Sequence, residues 1–99
     1  MTAKFVQLLK GTGTHKYKIV FYDTMRKKLK SVQFGAVGYE SYPDHQDLQR
    51  KQSYLSRHSN ENWSDPMTPG ALSRWILWNR TTLSASYKDF RTRFRYELF

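Results

Sequence analysis

The chain has no cysteine. Disulfides, Cys-based zinc sites and thiol nucleophiles are excluded with it. No apolar run approaches the roughly 20 residues that span a bilayer, so no transmembrane segment is expected. Met1 to Lys10 is too short and too charged for a signal peptide. Glycine is sparse, and Gly11-Thr-Gly13 lacks both the third glycine and the following helix of a phosphate-cradling turn. Acidic residues are the other scarcity: 8 Asp and Glu stand against 17 Lys and Arg, a net charge of +9. The imbalance is uneven. Residues 1–30 hold eight basic and one acidic residue, residues 31–79 four and five, and residues 80–99 five and two. Two basic ends flank a nearly neutral middle, which favours a polyanion or an acidic protein surface as partner.

Ninety-nine residues make one small domain over 1–99, with 1–14 an edge strand or arm and 15–95 the folded core. Such a chain buries roughly two-thirds of the surface it exposes when unfolded. Lys4 to Lys10 reads as a short strand. Lys16 to Tyr22 is rich in β-branched and aromatic residues, with Tyr17, Ile19 and Phe21 on one face and Lys18, Val20 and Tyr22 on the other. Asp23 to Lys28 connects it to a return strand over Leu29 to Gly35. The hairpin tip is basic: Arg26, Lys27, Lys28 and Lys30. If the outer face is uncovered, Lys18, Tyr22 and Lys30 form a basic aromatic surface. Pro43 suits the first position of a helix running to about His58, with Asp44 and Asp47 in its favoured acidic first turn. Leu48, Lys51/Gln52 and Leu55 mark its face, with Tyr54 and His58 beside it. Thr81 or Thr82 caps a last helix whose apolar positions are Leu83, Tyr87, Phe90, Phe94 and Leu98.

The segment Glu61–Asn79 holds all three tryptophans. Thr68 is a candidate N-cap and Pro69 the first helical residue. The turn Trp75-Ile76-Leu77-Trp78 has almost no polar side and therefore needs surrounding protein. This is read as a buried central helix, with Trp63, Leu72, Trp75, Trp78 and Phe90 as structural core. The fold class is α+β: an N-terminal antiparallel hairpin or three-stranded sheet, then three helices with the middle one buried.

Candidate chemistry is thin. A metal site needs three or four converging ligands, and of His15, His45 and His58 only His58 lies near a carboxylate, Glu61, in sequence. No metal site is expected. Paired carboxylates with separated pKa values have no evident candidates, since Asp44 and Asp47 are explained as helix N-terminal acids. No enzyme activity, cofactor or small-molecule substrate is expected. The residues pointing to a partner are the basic ones: Lys16, Lys18, Arg26, Lys27, Lys28, Lys30, Lys88, Arg91 and Arg95.

Val32-Gln-Phe-Gly35, Gly38-Tyr39, Tyr42, His45, Asp47, Arg50, Tyr54-Leu-Ser-Arg57-His58, Glu61-Asn-Trp63, Asp65-Pro66, Gly70, Ser73-Arg-Trp-Ile-Leu-Trp78 and Leu83 form a pattern. It resembles a family of small basic proteins encoded by large nucleocytoplasmic DNA viruses of the phycodnavirus, iridovirus and mimivirus groups. The resemblance spans roughly Lys16 to Phe94. That family has no established activity, so the resemblance assigns no catalytic residue. The strand connection is longer and more basic here than in the family. What the resemblance implies is a viral setting and, for such a protein, the virion. With the basic ends and the lack of a catalytic constellation, the expected function is a non-enzymatic structural virion protein, a minor capsid component that cements larger capsid subunits through basic termini. Its place would be the virion, and the host cytoplasm or nucleus during assembly. The alternative partner is DNA or RNA, bound without sequence preference in the viral core.

Overall fold

The computed structural model describes residues 2–99. Among them, strands β1 (Phe5–Lys10), β2 (His15–Tyr22), β3 (Lys28–Ala36) and β4 (Glu97–Leu98) form one sheet in the order β3-β2-β1-β4. The first three run antiparallel, and β4 lies parallel to β1 opposite Phe5 and Val6. The β1 segment is therefore a sheet member flanked on both sides at Phe5 and Val6, and an edge only beyond them. Helices α1 (Tyr42–His45), α2 (Leu48–Arg57), α3 (Pro69–Leu72, continued by a π turn over Ser73–Leu77) and α4 (Leu83–Phe94) complete an α+β fold.

Period-2 alternation sorts the sheet into two faces. Val6, Ile19, Phe21, Val32 and Phe34 meet Leu72, Ile76, Leu77 and Phe90 in one buried cluster. Tyr17 and Leu8 flank it. Phe5, Gln7, Leu9, Lys18, Val20, Tyr22, Ser31 and Gln33 point the other way.

The turn between β2 and β3 is organised by Asp23, 2 % exposed. Its carboxylate accepts hydrogen bonds from the Met25 and Lys27 amides, each 2.9 Å. Arg26 takes a left-handed conformation there, φ 63°.

The single helix expected from Pro43 to His58 is two. Gln46 turns left-handed, φ 53°, and the Asp47 side chain accepts from the Gln49 and Arg50 amides at 3.0 and 3.2 Å. The His45 ring Nδ1 accepts the Asp47 amide at 3.0 Å. A capping carboxylate offers the backbone an alternative to helix continuation. The restart changes the helix phase, so Tyr54 is buried while Leu48 is 55 % exposed. Asp44 lies in the first turn of α1 as expected, its carboxylate accepting from the amide of the N-cap residue Ser41 at 2.7 Å and from the Ser41 hydroxyl at 3.0 Å. Replacing Asp47 by Ala is expected to cost about 1 kcal/mol and Asp47→Ser much less. Urea denaturation checks this, and equal stability of both variants with the parent would refute the cap.

Thr68 caps α3 through its hydroxyl, which accepts the Ala71 amide at 3.2 Å. After Leu72 the chain widens, and the Trp78 amide reaches the Ser73 carbonyl at 3.0 Å. The wider turn sends Leu72, Ile76 and Leu77 into the core and leaves Trp75 and Trp78 half-buried at its rim. The apolar series expected to carry α4 to Leu98 stops at Phe94. Arg95 turns left-handed, φ 61°. The Glu97 and Phe99 amides then donate to the Lys4 and Val6 carbonyls at 2.9 and 3.0 Å, leaving Leu98 57 % exposed.

Candidate functional site

The structure divides the candidate basic residues by environment. Lys18 projects from the outer sheet face, opposite Leu9 and Gln33 in register. Lys27 and Lys28 are exposed at the hairpin tip. The Arg26 guanidinium lies 4.4 Å from the Phe5 ring centre and 5.4 Å from that of Phe99. Phe99 stacks on Tyr22 with ring centres 3.7 Å apart, and the Tyr22 hydroxyl donates to Gln7 at 3.0 Å. The tip and the C-terminus, far apart in sequence, thus form one basic aromatic patch.

Two residues leave this set. Lys30 is paired with Phe21, which places it on the helix-bearing face, and its ammonium donates to the Met67 carbonyl at 3.3 Å. The expected Lys18–Tyr22–Lys30 surface therefore lacks Lys30. Lys16 is half-buried and paired with Asp44 at 3.5 Å. Lys88, Arg91 and Arg95 belong to α4 and its end, in the helix layer across the sheet from Lys18. Arg91 lies 5.0 Å from the Tyr87 ring centre.

The tryptophans make a second aromatic system. Trp78 stacks on Tyr54 with ring centres 4.5 Å apart and planes 7° apart, and Tyr54 stacks on His58 at 4.3 Å. His45 approaches the other rings at Trp78, 5.5 Å. The Tyr54 hydroxyl is pushed up to about 12 by burial and by the Glu61 charge, so it stays protonated in this wall. Arg74 and Arg93 stand 4.2 and 3.9 Å from Trp75 ring centres, and the Trp75 indole donates to the Trp63 carbonyl at 2.9 Å. These contacts occupy the ring faces that a stacking platform for bases would have to offer. Leu72 and Phe90 are fully buried, and Trp63 is half-buried.

His58 bonds the Glu61 carboxylate, while His45 is committed to the Asp47 amide and His15 starts β2. Among the described residues no three His, Asp or Glu side chains converge as metal ligands.

One concavity was not read from the sequence. A groove of about 830 Å³ runs between the end of β3, α2 and the π turn. Gln33, Phe34, Gly35 and Ala36 form one wall. The α2 residues Gln49, Arg50, Ser53, Tyr54, Arg57 and His58 form the other, and Ser73, Leu77 and Trp78 the floor. Gly35 has φ +75°, which disfavours any side chain, and a Cβ there would stand 2.9 Å from Leu77 Cδ1 in the groove floor, so that side chain would have to move. The α2 wall was legible as pairs recurring every four residues from Gln49. The leucine stripe drew the sequence reading to the wrong face.

Residues 10–58, just under half of the chain, match the model of a family of unknown function (DUF5754). The matched segment carries β2, the basic tip, β3 and the α2 wall of the groove, and ends before the tryptophan segment. No match is found among curated proteins or among solved structures.

Proposed function

We propose that this protein is a non-enzymatic structural component of a large DNA virus particle, a minor capsid protein that cements larger subunits through its basic surface. The observation that carries the reading is how the charges are spent. All eight carboxylates are engaged in holding the fold. Asp23, Asp44 and Asp47 accept amide hydrogen bonds at turns and caps, and Asp65 accepts the Met67 amide. Asp89 takes Asn79, Arg80 and Arg93. Glu40, Glu61 and Glu97 pair with Arg50, His58 and Lys4. Among the described residues only five of the 17 Lys and Arg have a carboxylate within 4 Å, which leaves twelve without one. A surface of this kind favours acidic protein faces and speeds encounter with them. The sequence resemblance supplies the viral setting and, with it, location in the virion. The test is composition: peptides of this chain should be found by mass spectrometry in purified, nuclease-treated particles. Absence from them overturns the reading.

The patch of Lys18, Tyr22, Arg26, Phe5 and Phe99 on the open sheet face favours a second reading, sequence-nonspecific binding of DNA or RNA in the viral core. Phosphate contacts release counterions, so affinity should fall steeply with salt, and Lys18→Glu with Lys28→Glu should weaken it and flatten the salt slope. No mobility shift on duplex or single strand at roughly 50–100 mM salt would remove this reading.

A further inference from the structure

The β3 edge and the groove beside it have the parts of a strand-accepting site. β3 is the outer strand of the sheet, paired on one side with β2. The phase of its free side follows from hydrogen bonds at the opposite edge. The Val6 carbonyl accepts from Phe99, so Val6 faces β4, while the Gly11 amide donates to the Lys16 carbonyl and so faces β2. Main-chain groups alternate sides along a strand, so Phe5, Gln7 and Leu9 bond β2 at Tyr22, Val20 and Lys18. Tyr17, Ile19 and Phe21 are then left for β3, at Phe34, Val32 and Lys30. The N–H and C=O groups of Ser31 and Gln33 therefore point away from the sheet; at Gly35, φ +75°, the regular alternation ends. Gln33 and Gly35 border the groove.

The far wall supplies charge. Arg50 is held by Glu40 only at 3.9 Å. Arg57, about two turns further along the same face of α2, has no carboxylate within 4 Å among the described residues. Both are exposed on the rim of the α2 wall, above Trp78 in the floor. Long exposed sheet edges are commonly blunted. Here the edge runs beside a helix wall instead, with space for one more extended chain, the arrangement of strand addition between an edge and a helix.

We propose that this groove receives an extended acidic segment of a partner protein, which adds as a fifth strand along β3 at Ser31 and Gln33. Its carboxylates meet Arg57 and Arg50. The inference rests on the reading of the protein as a binder of acidic neighbours, and it names the site and the form of the partner.

The test uses the full chain and a fluorescein-labelled peptide of alternating Val and Glu, about eight residues long. Saturable binding is expected at physiological ionic strength, with the largest amide shifts in NMR spectra at Ser31 and Gln33. A peptide with Pro at alternate positions loses the main-chain donors and should not bind. The pair Arg50→Glu and Arg57→Glu should weaken binding about tenfold or more, with an unchanged circular dichroism spectrum; the amide map of the parent protein stands independently of that variant. No binding, equal binding of the proline peptide, or shifts centred on Lys27 and Lys28 would overturn the inference. So would an oligonucleotide that shifts the same amides more strongly than the peptide. Failure here is separable from failure of the virion reading. A chain present in particles that does not take the peptide loses only the groove, whereas one that takes the peptide but is absent from particles loses only the virion.

Discussion

Phe90→Ala is expected to destabilise the protein by about 3–5 kcal/mol, the range for truncating a fully enclosed phenylalanine. Phe90 is 0 % exposed. Its ring lies 5.4 Å from that of Phe94 and 5.7 Å from that of Tyr96, and Tyr96 meets Phe21 edge-on at 5.6 Å. The side chain thus ties α4 to the sheet and to the segment that leads into β4. Little around it can collapse, since Val6, Ile19 and Ile76 in the same cluster are also fully buried. Loss should appear first where support is thinnest, so the Glu97 and Phe99 amides should exchange faster than those of β2. Urea denaturation measures the total, and a loss below about 1 kcal/mol would show that Phe90 is not enclosed in this way. Trp75→Ala, which the sequence alone predicts to unfold the chain, is expected to cost roughly half as much. Its ring is half-buried and faces the guanidinium groups of Arg74 and Arg93.

That contrast shows what was legible. The hairpin was, because β-branched and aromatic residues alternate over Lys16–Tyr22 and Val32–Phe34, and the register follows the alternation. The cap at Thr68 was, and that of the last helix was narrowed to Thr81 or Thr82, because a hydroxyl before a helix is a favoured N-cap. The rim position of Trp75 and Trp78 was not: an ordinary helical period places them inward, and only the widened turn after Leu72 rotates them out. The break at Gln46 was hidden because Asp44 and Asp47 both satisfy the same first-turn preference, and nothing local says that they begin different helices. The basic surface was legible as a composition and illegible as a place. Lys30 and Lys18 look alike in sequence, yet the strand alternation puts them on opposite faces. The meeting of Phe99, Tyr22 and Arg26 depends on a chain end returning to β1 after a left-handed residue at Arg95. The groove was missed for the same kind of reason. It lies between β3 and α2 above the π turn, and no local pattern in any one of these elements signals that they meet.

Asp89→Ala is expected to cost about 1–3 kcal/mol, the scale for leaving the buried Asn79 amide without its acceptor, to which the exposed Arg80 and Arg93 pairs add little. The Asp89 side chain is 20 % exposed. It accepts from Asn79 at 2.7 Å, Arg80 at 3.2 Å and Arg93 at 3.4 Å. Asn79 is itself buried. Its amide also donates to the Trp75 carbonyl at 3.1 Å, and its own carbonyl accepts Lys51 at 2.6 Å. One carboxylate therefore joins α4 to the end of the π turn and, through Asn79, to α2. Without it Arg80 and Arg93 lose their anion, while Arg74 and Lys51 remain nearby. Burial raises the Asp89 pKa, but hydrogen bonds from Asn79 and Arg80 and the charges of Arg93 and Arg80 outweigh it and hold it below its ordinary value of 3.8. Asp44 is also lowered, chiefly by the Ser41 amide. A carboxylate depressed in the folded state stabilises it above the unfolded pKa, and that contribution is lost as pH falls through the folded value. The window therefore opens near pH 4 and extends downward. Urea midpoints from neutral pH into this acid range should fall in the parent protein. Asp89→Asn should start lower at neutral pH and fall less steeply, since the group whose protonation drives part of the loss is gone. An acid slope as steep as the parent's would mean that Asp89 is not the carboxylate that ties these helices together.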